Sequence, residues 1–274
     1  MAFFKKIILN KKAVYALLLA LALPLGSYFF MKYYSDAHIK VPPHYIADSV
    51  VTKTVNGKEI SETFWHKMPD YSFTNQLGNE VSWKDMEGKV VVVDFFFTHC
   101  PTICPSLTMN MRRLQESIKN SMKVGDKEPN FLQFISFSID PERDSVVELK
   151  KWADRFQVNP SNWWLLTGDK KKIYDMSLEH MKIGIQDGEN VDSNFIHTDR
   201  FVLIDKERNI RGYYHGLDTV SLAKLSEDII FLSLEKNKNS KSIFEGKLEM
   251  IAIVFIFSFL ALMTFLYFIK KKNQ

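Results

Sequence analysis

Apolar positions along this chain fall into three kinds of run, and each kind predicts a different element. The first is long and uncharged. Ala13 to Met31 (AVYALLLALALPLGSYFFM) and Ile251 to Ile269 (IAIVFIFSFLALMTFLYFI) carry no charged residue, and at 1.5 Å per residue each is long enough to cross roughly 30 Å of hydrocarbon. Both predict membrane helices. The second kind is short and nearly continuous: Val90 to Phe97 (VVVVDFFF) and Phe131 to Ile139 (FLQFISFSI) suit central strands covered on both faces. The third is periodic. Leu107, Met111, Leu114 and Ile118 recur at i, i+4, i+7 and i+11. Leu149, Trp152, Ala153 and Phe156 share a face behind a Ser145/Glu148 capping box, and Leu222, Leu225, Ile229 and Leu232 mark another amphipathic helix.

Polar positions supply the turns. Val51 to Ser61 alternates around Asn56-Gly57, a strong hairpin signal, and Leu77-Gly78-Asn79 marks a second turn. Phe201 to Ile204 and Ile210 to Tyr214, joined by DKERN, predict another hairpin. The order β, α, β, α, β-hairpin, α describes an α/β body of one core. The expected organisation is a tail at 1–12, a span at 13–31, a stalk at 32–44, the body at 45–234, a polar linker at 235–248, a second span at 249–269 and a tail at 270–274. No internal repeat is present.

Charge sets the expected orientation. Lys5, Lys6, Lys11 and Lys12 precede the first span and only Lys32 and Lys40 closely follow it, which places the N-terminus in the cytoplasm and the body on the extracytoplasmic, periplasmic side. A cleaved signal peptide is the rival reading, but the apolar stretch exceeds a usual signal core and LPLGSYFF lacks a clear A-x-A site. The second span, flanked by lysines on both sides, returns the C-terminus to the cytoplasm by parity. A formal net charge of +4, with 46% hydrophobic and 25% charged residues, gives no argument for nucleic acid.

Both cysteines of the chain, Cys100 and Cys104, lie in DFFFTHCPTICPS, between a predicted strand and a predicted helix. Pro105 suits the first helical position, so Cys100 to Cys104 is a turn leading into the helix. Residues four apart on a regular helix have Cβ atoms roughly 5–6 Å apart, too far for a disulfide needing about 3.5–4.5 Å. A turn brings them closer. Thiolates at a helix N-terminus are stabilised by the dipole and unpaired N–H groups, which permits disulfide exchange or soft-metal binding, with a static disulfide as the bland alternative. Two thiolates are too few for closed structural zinc, whereas with one imidazole they suit Cu(I). The histidines available are His38, His44, His66, His99, His180, His197 and His215. His197 sits in a loop just ahead of a predicted strand, where loops bring function to a scaffold. His99 adjoins Cys100, but neighbours on an extended strand point to opposite faces. Met109, Met111, Trp163 and Trp164 read first as packing residues.

FTHCPTICP resembles the signature of the Sco/SenC family of copper-binding, thioredoxin-like membrane proteins. SFSIDPERDS, WWLLTGDKKKI, IHTDRFVLIDKERNIRGYYHG and LAKLSEDI resemble further family segments in the same order, over about Pro69 to Leu234. The resemblance implies a thioredoxin-like fold with a central mixed sheet flanked by helices, to which the two membrane helices are added. It implies copper held by Cys100, Cys104 and His197, with Asp140 matching an acidic residue near the family's site; Asp before Pro serves equally as a turn-and-cap residue. It further implies delivery to the CuA-bearing subunit of cytochrome c oxidase, with other copper carriers or thiol reductants as further partners. Two departures stand out: Ile196 precedes His197 where many members carry Asp, and the second span is an addition. The alternative is a thiol-disulfide oxidoreductase in which Cys100 and Cys104 reduce the cysteines of the oxidase subunit or of another extracytoplasmic partner. A peroxidase is weaker, because nothing supplies a peroxide-stabilising arginine beside Cys100.

Overall fold

The computed structural model describes residues 41–55, 58–122, 130–184 and 198–235, with Gly26, Ser27, Phe30 and Tyr33. The two apolar runs lie outside these residues but for Gly26, Ser27 and Phe30, and among the described residues no helix is long and apolar enough to cross a membrane. The chain to Leu234 forms one unit.

Its first two strands, β1 (Ala47–Val55) and β2 (Lys58–Trp65), make a separate antiparallel hairpin whose last pair, Val55 with Lys58, flanks Asn56-Gly57. Then come β3 (Phe73–Asn75), β4 (Glu80–Val81), β5 (Val90–Phe96), helix α1 (Cys104–Met122), β6 (Leu132–Ser138), α2 (Val146–Phe156), β7 (Trp163–Thr167), α3 (Lys170–Asp175), a π turn at Met176–His180, β8 (Arg200–Ile204), β9 (Ile210–His215) and α4 (Thr219–Leu234). The seven-stranded sheet runs β4-β3-β7-β6-β5-β8-β9. Strands β5, β6 and β7 are parallel; β3 and β8 flank them antiparallel, and the edge strands β4 and β9 pair antiparallel with β3 and β8 in turn.

That topology follows from the apolar pattern. All seven residues of β5 and all seven of β6 are buried, which an aqueous sheet tolerates only with layers on both faces, and parallel neighbours need the long crossovers that α1 and α2 supply. Leu107, Met111, Leu114 and Ile118 turn inward from α1, and Leu149, Trp152, Ala153 and Phe156 from α2. Ser145 caps α2 by accepting from the Glu148 amide. Phe95, Phe96, Phe97, Phe134, Phe137, Phe201 and Trp163 are fully or almost fully enclosed, each such burial stabilising the body by roughly 1.5–3 kcal/mol. Val41 to His44, ahead of the expected start of the body, packs against it: buried Arg211 donates Nε and Nη2 to the Pro42 carbonyl at 2.8 and 2.6 Å.

Candidate functional site

The strand-to-helix turn begins where β5 runs out. The Cys100 amide donates to the Phe97 carbonyl at 3.3 Å and the Cys104 amide to Cys100 Sγ at 3.5 Å, so the turn wraps its backbone around the first sulfur. The helix starts at Cys104, with Pro105 in its first turn, where a missing N–H costs nothing. The Thr108 hydroxyl donates to the Cys104 carbonyl at 2.9 Å. Thr102 Oγ1 stands 3.6 Å from Cys100 Sγ. Cys104 is fully enclosed, and Cys100 retains 5% exposure.

Two thiols in that cradle do not behave alike. Hydrogen bonding from the Cys104 thiol lowers the Cys100 pKa to about 4 against its burial, helped by the Cys104 and Thr102 amides and the Thr102 hydroxyl. The same hydrogen bond raises Cys104 far above the usual thiol range, with burial and the Cys100 charge acting in the same direction. The pair therefore holds one proton: an outer thiolate and an inner thiol.

Two buried carboxyl groups accompany it. Asp94, in β5, stands opposite Ser136 of β6. Burial raises its pKa to about 7, against a hydrogen bond from Ser136. Its Oδ1 has no partner, and its charge is one of the influences that raise Cys104. Ser136 also accepts from Trp163 Nε1 at 3.0 Å. Asp144 is fully buried and gathers three donors: the Thr98 amide at 3.1 Å, the Thr98 hydroxyl at 2.5 Å and the Ser138 hydroxyl at 2.6 Å. Burial raises its pKa in spite of them. Asp144 thus ties the chain two residues before Cys100 to the end of β6.

The other sequence candidates take separate positions. The Asp140 carbonyl accepts from the Arg143 and Asp144 amides, its amide donates to Ser138 Oγ, and its carboxylate pairs with Arg143 Nε at 2.5 Å. These are the contacts of a turn. Half-exposed His99 lies 3.0 Å from the Thr98 hydroxyl. His44 stacks on Trp65, His66 meets His180, and His215 pairs with Asp199. His38 and His197 lie outside the described residues. Among the described residues no group of three or more His, Cys, Asp or Glu side chains is arranged to hold a metal ion. The sequence alone marked none of Asp94, Thr98, Ser138 and Asp144 as a site residue, although Thr98 lies in FTHCPTICP and Ser138 and Asp144 in SFSIDPERDS. For Asp94 the visible signal was an ionisable residue inside the apolar run VVVVDFFF.

What the cysteine pair can do chemically is limited to thiolate chemistry. Cys100 can attack a disulfide at neutral pH, and the two sulfurs offer a soft donor pair. The comparisons with known proteins agree in one direction. The family model described as SCO1/SenC matches residues 62–230. A SCO1 protein homolog of Bacillus subtilis is 31% identical over 174 residues, covering 63% of this chain and 86% of that protein. The human mitochondrial SCO1 homolog is 25% identical over 53% of this chain and 46% of its own length. The crystal structure of a SCO1/SenC family lipoprotein from Bacillus anthracis superposes with a TM-score of 0.55 at 34% identity, covering 61% of this chain and 95% of that one. BsSco, described as a Sco family cytochrome c oxidase assembly protein with a disulfide switch, superposes at 0.55 with 30% identity, covering 63% and 96%.

Proposed function

This chain belongs to the SCO1/SenC family, and on that premise we propose that it is a membrane-anchored copper chaperone that holds copper through Cys100, Cys104 and His197 and delivers it to the CuA centre of a cytochrome c oxidase subunit. The observation that carries the reading is the one-proton cysteine pair at the strand–helix turn. Two sulfurs from one turn, with an imidazole, form the soft donor set that Cu(I) selects over zinc or hard cations. At pH 7 Cys100 already carries its charge, so loading Cu(I) on both sulfurs displaces the single Cys104 proton. Release to an acceptor proceeds by exchange, the acceptor's thiolates replacing these sulfurs one at a time. Relatives support the destination, since BsSco is assigned to cytochrome c oxidase assembly.

Residues 13–31 and 249–269 anchor the body as two spans, with both termini cytoplasmic. Reporter fusions at Asn237 and Gln274 should score outside and inside respectively, and equal scores would refute this topology.

The same asymmetry favours one alternative, a thiol-disulfide oxidoreductase. The Cys100 thiolate attacks a partner disulfide and expels one partner thiolate. Cys104, losing its proton, then attacks Cys100 Sγ and expels the second, leaving a Cys100–Cys104 disulfide after transfer of two electrons. His197→Ala separates the readings. Copper binding should weaken and oxidase maturation fail, while disulfide exchange stays near its original rate, because exchange needs no imidazole ligand. Oxidase assembly that survives without copper binding would leave the oxidoreductase in place of the chaperone.

A further inference from the structure

Far from the cysteines, the β1–β2 hairpin meets the π turn after α3 through a three-member chain. Asp48 Oδ1 lies 2.7 Å from His66 Nδ1, and His66 Nε2 lies 3.0 Å from His180 Nδ1. The two ring centroids are 5.2 Å apart and the planes differ by 15°. That separation exceeds the N···N distance by nearly the full two ring radii, so the imidazoles lie end to end, each nitrogen aimed at the other. Both rings are half-buried and open to solvent. Lys67, next to His66, bridges to Asn209 in the β8–β9 turn, at the end of the sheet away from Cys100.

We propose that His66 and His180 form a second copper(I) site, linear and two-coordinate, in which the ion takes the place of the hydrogen between the facing nitrogens. Three features converge on it. A carboxylate only accepts, so Asp48 fixes the proton of His66 on Nδ1 and leaves Nε2 as a bare lone pair. A carboxylate behind an imidazole is the usual outer partner of a metal-ligating histidine. Opposed, coplanar lone pairs match a linear ion, whereas tetrahedral or octahedral ions need further donors from the sides, and no group of three or more His, Cys, Asp or Glu side chains is so arranged among the described residues. With metal–nitrogen bonds of about 2 Å, the nitrogens must part to about 4 Å, a slide along their common axis without rotation. The charges also balance, because the Asp48 carboxylate offsets the monovalent ion.

No redox step is involved. On binding, the proton between the rings, carried by His180 Nδ1, passes through water to Nε2 of the same ring, so no net proton is released. Asp175 and Glu179 face His180 with negative charge, and Lys182 and His66 oppose them. Burial and the neighbouring His66 hold His180 below its usual pKa. The choice of copper as the ion rests on the chaperone reading, while the two-histidine geometry is independent of it.

The test uses the full chain in detergent, carrying Cys100→Ser and Cys104→Ser, titrated anaerobically with Cu(I) against a chromophoric chelator and read by X-ray absorption. One equivalent should bind with the near-edge signature of linear two-coordinate Cu(I). Adding His180→Gln should weaken it at least tenfold with the circular dichroism spectrum unchanged. Wild-type protein with its thiols oxidised to the disulfide repeats the measurement without substitution. The site is refuted by zero stoichiometry, by a three- or four-coordinate spectrum, or by indifference to His180→Gln. If reduced wild-type protein binds only the histidine equivalent, the chaperone reading fails and this site stands.

Discussion

Replacing Asp94 by Asn should change the pH dependence of stability in a predictable way. Folding moves this carboxyl from an ordinary 3.8 to about 7, chiefly by burial. An acid whose pKa rises on folding binds more protons in the native state between those values. Its contribution is intact below 3.8 and is lost as the pH rises through about 7. At about 1.4 kcal/mol per unit, a shift of about three units amounts to about 4 kcal/mol across the whole window, of which about 2.7 kcal/mol falls between pH 5 and 7. Cys100 acts oppositely: its lowered pKa makes stability rise with pH through the same range, so the wild-type curve alone can be nearly flat. The difference between variant and wild type isolates Asp94. Urea unfolding of a 41–235 fragment under reducing conditions, at pH 5 and at pH 8, should show Asp94→Asn gaining about 2–3 kcal/mol on wild type between the two. A fixed offset at each pH, arising from the Asn amide beside Ser136 in place of the orphaned Oδ1, leaves that difference untouched. Parallel curves for the two proteins would show that Asp94 does not hold its proton in the fold.

Two further outcomes bear on the cysteine turn. Alkylation followed by peptide mapping should modify Cys100 and spare Cys104, with a reactivity midpoint near 4; equal labelling, or a midpoint near 9, would dissolve the one-proton pair. Asp144→Ala removes the acceptor shared by Thr98 and Ser138 and should cost about 2–4 kcal/mol in urea unfolding. It should also move the Cys100 midpoint, which a stability effect confined to β6 would leave in place.

The central elements were legible because their burial is two-sided or strictly periodic. VVVVDFFF and FLQFISFSI became β5 and β6 within a residue or two of the expected bounds, and the stripe from Leu107 to Ile118 became the inner face of α1. The capping residue Ser145 was legible from local chemistry alone, although Glu148 does not complete the reciprocal half of its box: the Ser145 amide turns to the Arg143 carbonyl instead. Strand β7 was not legible. Trp163 and Trp164 read as packing residues, yet five residues pairing with β6 on one side and β3 on the other form a strand by partnership rather than by pattern. The cysteine turn was visible from Pro105 and the two sulfurs. Its asymmetry was not, because it rests on which sulfur donates the hydrogen bond inside the folded turn; nor was the Thr98–Asp144 contact beside it, which joins residues 46 positions apart. His197 lies outside the described residues, so its ligand role rests on resemblance.

Strand β5 also carries a consequence for synthesis. Its partner on one side, β8, arrives about 110 residues later, where Val93 meets Val202. At 5–20 residues per second the ribosome needs on the order of 5–20 s to deliver it. Throughout that interval one edge of VVVVDFFF has no ladder, and an apolar edge without a partner is a template for other chains. A chain halted before Arg200 should therefore pellet from lysates that keep the completed body in solution. The two crossovers through α1 and α2 and the stretch from β7 to β8 together make that delay, and what shields the open edge during it bears on how much protein reaches the folded state.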